Sequence, residues 1–285
     1  MGLWVFTSDL HGHRPFYEAL AALCAERQPS VVVLGGDLGP HASGPEGAAF
    51  QREFFSGAFA DFAARLAASV AGLSLLVLMG NDDWRANHDV LEELSPALWR
   101  VLHGRAYELG AAEAGVALAG LSWVPITPFA LKDWELWDTP DAPPGERLAG
   151  YRSHAGGLSP FAFDAARRSP TIADELEKLA RHSDPSRTVY VLHSPPYGTA
   201  CDQIGGHRHV GSRAIRAFLE RHRPPLSLSG HIHESPRISG AFADRVGATL
   251  IVNPGQFDGN RQWCAVTFDI ADVAGTLEHT VRGRA

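Results

Sequence analysis

Five short polar motifs follow five apolar, strand-like runs in this chain. Leu3–Thr7 leads into Asp9 and His11, and Val31–Leu34 leads through Gly35 and Gly36 into Asp37. The run from Leu75 to Met79 leads through Gly80 into Asn81, Asp82 and Asp83. Farther on, Thr188–Leu192 ends in His193, and Leu226–Ser229 leads through Gly230 into His231 and His233. Carboxylates, imidazoles and an amide make a mixed oxygen and nitrogen donor set, which suits manganese, iron or zinc better than a thiolate-selected metal. In an extended segment, residues i and i+2 point to one side, so Asp9 with His11, and His231 with His233, are each expected to reach one site. Glycine before Asp37, Asn81 and His231 permits a sharp turn and close backbone approach. Any one motif alone reads as a turn or a helix cap. Five in order, each at a strand end, read as a metal centre.

The elements that must position these groups alternate. A helical pattern from Arg14 to Gln28 separates the first two strands. A longer one, marked by Phe54, Phe62, Leu66 and Val70, separates the second and third. Solidly apolar strands alternating with helices predict parallel strands under helical cover. In such sheets the carboxyl ends of the strands form the edge where ligands bind. Helices are expected over Thr171–His182 and Ser212–His222, with Ser212 as N-cap. The segments Thr249–Val252, Ala265–Ile270 and Leu277–Val281 read as antiparallel strands. Residues 122–170 differ. Seven prolines, counting Pro144, together with Trp123, Trp134, Trp137 and Tyr151, predict an aromatic insertion with a short helix near Leu131–Trp137. Its rings either stack on a base of the substrate or build the insertion's own core, and the core reading is favoured. The whole chain, 1–285, reads as one domain carrying this insertion.

Composition sets the outer bounds. The 285 residues are 45% apolar and 20% charged, with a net charge of -7, which describes a globular chain and a poor clamp for long nucleic acid. No apolar run reaches the roughly 18 residues that span a bilayer, and the first nine residues lack a basic segment, so a cytoplasmic protein with no membrane partner is expected. Three separated cysteines build neither a disulfide framework nor a thiolate zinc site. The 14 histidines are what needs explaining.

The ordered set Asp9-x-His11, Gly36-Asp37, Gly80-Asn81, His193 and Gly230-His231-x-His233 resembles the signature of the calcineurin-like metallophosphoesterases. The small bacterial and archaeal phosphodiesterase-type branch is the most similar, with His193–Thr199 and Asn253-Pro254-Gly255 adding to the likeness. That resemblance implies an α/β fold, a four-layer α/β/β/α sandwich of two mixed sheets flanked by helices. It also implies two divalent metal ions, manganese first, with iron, zinc, nickel or magnesium as alternatives. One ion would take Asp9, His11 and His233, the other Asn81, His193 and His231, and Asp37 would bridge them. Ions roughly 3.5–4 Å apart clamp both oxygens of an in-line displacement, with a bridging water as nucleophile. Two such cations would leave the cleft locally positive by about one unit, so an acidic chain can still capture a small phosphate ester.

One position departs from the pattern. Asp82 stands where many members carry a histidine that stabilises the transition state or protonates the leaving oxygen, and a carboxylate repels the charge that develops there. His207 or His209, in the loop between two ligand-bearing strand ends, is therefore the expected donor, or else a metal-bound water. Arg208 and Arg213 are candidates for holding a phosphate oxygen, beside Asn81. Asp83 and Asp202 are candidates for orienting imidazole N–H groups, and His13 and His41 for lining the cleft. Hydrolysis of small phosphodiesters, with monoesters secondary, is the leading expectation. A non-catalytic metal-binding scaffold on the same fold is the alternative; a nuclease or protein phosphatase fits less well. The sequence sets no oligomeric state.

Overall fold

A computed structural model describes residues 2–44, 46–110, 113, 115–143, 145–256 and 262–284; Pro144 lies outside them. Two mixed sheets stack face to face. The first runs, edge to edge, Gly283–Arg284, Glu278–His279, Val266–Asp269, Leu3–Thr7, Val31–Leu34, Ser74–Val77 and Arg100–Val101. Leu3–Thr7 and the three strands after it are parallel, and Val266–Asp269 joins them antiparallel. The second sheet runs Ala243–Val246, Thr249–Val252, Leu226–Leu228, Thr188–Leu192, Ala117–Leu121 and Ala106–Glu108, with parallel strands between two antiparallel edges.

Alternation along the strands builds the layers, because successive side chains leave a strand on opposite faces. Trp4, Phe6, Val31, Val33 and Leu76 face inward and meet Leu118, Val189, Val191, Leu226 and Leu228 between the sheets. Val5, Val32, Leu34 and Val77 point outward and are covered by Phe16 and Leu20 of the helix Arg14–Arg27 and by Phe62 and Leu66 of the helix Ala60–Ser69. On the far side Tyr190 and Leu192 meet Leu176, Leu179, Ile215 and Phe218 from the helices Ile172–Ala180 and Arg213–His222. Thr171 and Asp174 close the first of these with a capping box, and Ser212 caps the second. The expected α/β/β/α sandwich is the observed fold. Among the described residues no helix is long and apolar enough to cross a membrane.

Three expectations need correction. In the two large sheets, four strands besides the two-residue Gly283–Arg284 carry no sequence signal. Arg100–Val101 and Ala106–Glu108 are very short, Ala117–Leu121 is ALAGL, poor in β-branched residues, and Ala243–Val246 is half polar. Thr249–Val252 is not simply antiparallel, since it pairs parallel with Leu226–Leu228 and antiparallel with Ala243–Val246. Residues 131–137 form no helix. They make a turn at Asp133–Trp134 between bridged and paired residues, with Lys132 N–H bonded to the Tyr151 carbonyl and Glu135–Leu136 paired with Val124–Pro125.

The tryptophans of the insertion pack inside it, whereas Tyr151 is exposed. Trp123, Trp134 and Trp137 are buried; Trp134 lies 5.4 Å from the Trp123 ring and 4.8 Å from His103. The insertion also grips the loop that carries Asn81. Trp134 Nε1 donates to the Asp83 carbonyl at 2.8 Å, and Arg85 N–H to the Asp133 carboxylate at 2.9 Å.

His103 gives this cluster a pH dependence. Its Nδ1 accepts from Ser122 N–H at 3.1 Å, and burial, helped by His88, pushes the ring from 6.5 down to about 3. The unfolded chain takes up this proton near 6.5 and the folded chain does not, so stability falls as pH drops through that window. Between pH 7 and pH 5 the urea unfolding free energy should lose about 2 kcal/mol to this group, and His103→Gln should remove that part of the slope. An unchanged slope in the variant would show that His103 titrates normally.

Candidate metal centre

Every chemistry-bearing motif stands at the carboxyl edge of its sheet. Asp9 and His11 follow Leu3–Thr7, Asp37 follows Val31–Leu34, and Asn81 follows Ser74–Val77, all from the first sheet. His193 follows Thr188–Leu192, while His231 and His233 follow Leu226–Leu228, from the second. The stacked sheets bring these ends together. Ligand-type atoms of Asp9, His11, Asp37 and His233 all lie within 4.8 Å of one another, and so do those of Asp37, His193 and His231. The Asn81 Oδ1 joins the second group, 3.2 Å from His193 Nε2. Asp37 belongs to both.

The convergence does not arise as strand alternation suggests. Asp9, His11, Asp37 and His231 adopt left-handed backbone, with φ of 59°, 45°, 51° and 64°. None of the four is on an extended segment, and each sits in a turn whose left-handed backbone glycine adopts freely and Asn, Asp and His adopt more readily than other residues. Backbone bonds hold these turns against one another. Asp9 and His11 N–H groups donate to the Gly36 and Asp37 carbonyls, both at 2.8 Å, and His231 N–H donates to the Asp9 carboxylate at 3.0 Å. Close approach is required at Gly80, where a Cβ would overlap both the Asp37 carboxylate and the His193 ring.

The surrounding groups set how each donor is presented. His193 Nδ1 lies 2.9 Å from the Gly35 carbonyl, which can only accept, so Nδ1 carries a proton and Nε2 is the nitrogen left facing the site, where a bound cation would displace its proton. Nε2 is 3.4 Å from Asp37 Oδ2. Burial would depress the His193 imidazole, but the Asp37 charge beside it prevails and lifts it to about 9. Burial would raise the Asp9 and Asp37 carboxyls, yet adjacent imidazoles, His233 for Asp9 and His193 for Asp37, hold both below the usual range. Burial keeps His11 below its ordinary value and His231 at about 4. Two imidazole nitrogens, His11 Nε2 and His233 Nε2, face each other 3.2 Å apart, with Asp9 Oδ1 3.3 Å from the latter. Two ring nitrogens and a carboxylate aimed at one another in a buried pocket fit a divalent cation, and so does the second group.

The positioning residues are harder to see in the sequence. Asp83 does not orient an imidazole. Its buried carboxylate accepts from Leu38, Gly39 and Gly80 N–H at 3.0, 2.7 and 2.9 Å and thereby ties the Asp37 loop to the Asn81 loop. Burial, then the Asp37 charge, push it up to about 7. Asn253 enters the sequence reading only as the first residue of the turn Asn253-Pro254-Gly255, and Gln256 carries no signal in its residue type. Asn253 Nδ2 donates to the Cys201, Gly230 and Ile232 carbonyls, and Gln256 links the Ser8 and His233 carbonyls through its Nε2 and its N–H. What could have found them is position, directly after the strand Thr249–Val252 at the same edge.

The expected donors have partners of their own. His207 is exposed and bonds Gln203, and His209 bonds the buried Asp202 at 2.7 Å, so Asp202 does orient an imidazole. Arg208 pairs with Glu146 on the surface, and Arg213 lies over the Tyr197 ring at 3.7 Å. His209, Tyr197, Trp137 and Arg213 line a separate cavity of about 290 Å³. Asp82 does stand at the edge, and there it meets His41. His41 Nδ1 is 2.9 Å from Asp82 Oδ2, a bond that raises the imidazole above its ordinary value.

Comparison with known proteins agrees with this architecture. Solved structures superpose along almost the full length: one crystal structure at 15% identity covers 98% of both chains with a TM-score of 0.64. TT1561 of Thermus thermophilus is 17% identical, with 98% of this chain and 97% of that one covered and a TM-score of 0.59. A novel archaeal phosphodiesterase is 9% identical over 97% and 98% of the two chains, with a TM-score of 0.45. For the first two the likeness is one of fold. No curated protein sequence matches the chain. Residues 4–235, which include all five strand-end motifs, match the model of the calcineurin-like phosphoesterases, and the chain belongs to that family.

Proposed function

We propose that this protein is a dinuclear-metal-dependent phosphoesterase that hydrolyses small phosphodiesters, with monoesters as poorer substrates. One observation carries the reading. Two ligand groups, drawn from the edges of two different sheets, share the Asp37 carboxylate. Asp9, His11 and His233 would hold one ion, Asn81, His193 and His231 the other, with manganese the metal expected to serve best. Two divalent cations there would polarise the phosphoryl group and acidify a water. The chain's own part is to present donors in fixed geometry. Gly35 sets the His193 tautomer, Asp83 locks the loops of Asp37 and Asn81, and Asn253 and Gln256 lock the opposite loops. The insertion's tryptophans pack inward and bury the back of the Asn81 loop, which favours a compact substrate over a protein surface.

The test is a panel of metals against a bis-aryl phosphodiester and an aryl monophosphate. Expected are close to two manganese ions per chain and diester turnover at least tenfold above monoester turnover. Monoester turnover ahead by a decade would reverse the substrate order. Fewer than one metal per chain with no hydrolysis would favour the scaffold alternative.

A further inference from the structure

Asp82 occupies the position where the family pattern has a histidine, and a carboxylate cannot donate to a phosphoryl oxygen. An imidazole nevertheless stands there, delivered by another loop. His41, four residues beyond Asp37, lays its ring on that of His11, with centroids 4.3 Å apart and planes within 20°. Its Nδ1 lies 2.9 Å from Asp82 Oδ2, and because a carboxylate only accepts, Nδ1 is the donor in that bond. The carboxylate is anchored in turn: Asp82 N–H donates to Asp37 Oδ1 at 2.7 Å, and Asn81 Nδ2 lies 3.3 Å from Asp82 Oδ1. Asp82 is therefore fixed to two ligand candidates, and it fixes His41 against a third.

We propose that His41 is the side chain that hydrogen-bonds the leaving-group oxygen of the ester, and that Asp82 is its positioning residue. The proposal rests on the phosphoesterase reading above. Three features support it. The His41 side chain is 67% exposed, so its free edge faces solvent and not the core. Its Nε2 takes no hydrogen bond among the described residues and is the ring atom left to meet a substrate. The rings of His207 and His209 contact Gln203, Asp202 and Tyr197, whereas the ring of His41 touches a ligand candidate directly. The departure at Asp82 is then a relocation: the imidazole comes from the Asp37 loop, and the Asn81 loop supplies the carboxylate that orients it.

The bond matters most when the leaving oxygen is basic, and that separates it from a structural role. Manganese-loaded wild type, His41→Ala, His41→Gln and Asp82→Asn would be compared on aryl phosphodiesters with leaving groups graded from nitrophenol to unsubstituted phenol. Metal content and the affinity for inorganic phosphate would be measured alongside. His41→Ala should lose about 10²-fold in kcat on the phenyl ester and under about tenfold on the nitrophenyl ester, the range expected when a positioned donor is removed. His41→Gln, which keeps a donor, should recover part of the loss, and Asp82→Asn should show the same leaving-group trend in smaller degree. Metal content should equal that of wild type. A loss of equal size across the series would overturn the proposal, and so would lowered metal content, which would make His41 a ligand. Should wild type hydrolyse no ester of the series, the phosphoesterase reading fails and this role fails with it; a wild type that is active while its variants follow no leaving-group trend removes only His41.

Discussion

Asp37→Asn should lose metal from both ligand groups and reduce diester hydrolysis by at least about 10³-fold, roughly 4 kcal/mol of transition-state stabilisation. The size follows from the position of this one carboxylate. Its Oδ2 lies 3.4 Å from His193 Nε2 and 3.9 Å from His11 Nε2, so it closes both groups at once. Asparagine keeps the shape, and its amide oxygen can still accept from Asp82 N–H, so the exchange removes charge and one donor oxygen while preserving the loop contact. Elemental analysis should show less than half the wild-type metal, with urea unfolding of the metal-free protein changed little by comparison. Retention of both metals and of activity within tenfold would show that Asp37 does not bridge.

The largest expected effect on stability lies in the insertion. Lys132 and Glu135 are both fully buried, with Nζ 2.8 Å from Oε2. Lys132 also donates to the Thr127 carbonyl at 2.7 Å, and Glu135 accepts from Thr127 N–H at 3.1 Å and from the Thr127 hydroxyl. Lys132→Met would leave a carboxylate in the interior without its cation, at a cost of about 3–5 kcal/mol, whereas Lys132→Met with Glu135→Leu should recover most of the loss. The sign with pH is fixed. Burial already lifts Glu135 from 4.5 to about 7 despite the lysine, and removing Lys132 lifts it further. The folded variant then holds a proton that the unfolded chain has released, so its stability falls as pH rises above 4.5 and the defect should be milder at pH 5 than at pH 8. Urea midpoints of the single and double variants at both values measure this; a single variant that unfolds like wild type would mean that the pair contributes nothing.

How much of this was legible in the residues depends on range. The strand ends carrying Asp9, Asp37, Asn81, His193 and His231 are local signals, an apolar run broken by glycine and a polar side chain, and the sandwich that gathers them follows from alternation of such runs with helices. What sequence reading lacked was long-range or context-dependent. His41 and Asp82 are distant along the chain, and nothing near either announces a partner. Residues 131–137 have helix-forming composition, but Asp133 takes the Arg85 and Ser153 N–H groups and Lys132 N–H is claimed by Tyr151, so tertiary bonds override propensity. Alternation also misled locally, since it explained Asp9-x-His11 by an extended backbone that is absent there.

That absent extension bears on how such a protein could be engineered. Left-handed backbone at Asp9, His11, Asp37 and His231 costs of order 1 kcal/mol or more at each position, a cost that glycine would largely relieve. A campaign that ranked variants by melting temperature in chelator would therefore favour glycine at the very positions that make the site, enriching for hardier proteins that have lost it. Ranking in the presence of manganese would reverse the preference, because whatever binds only the folded form adds its own free energy to the score.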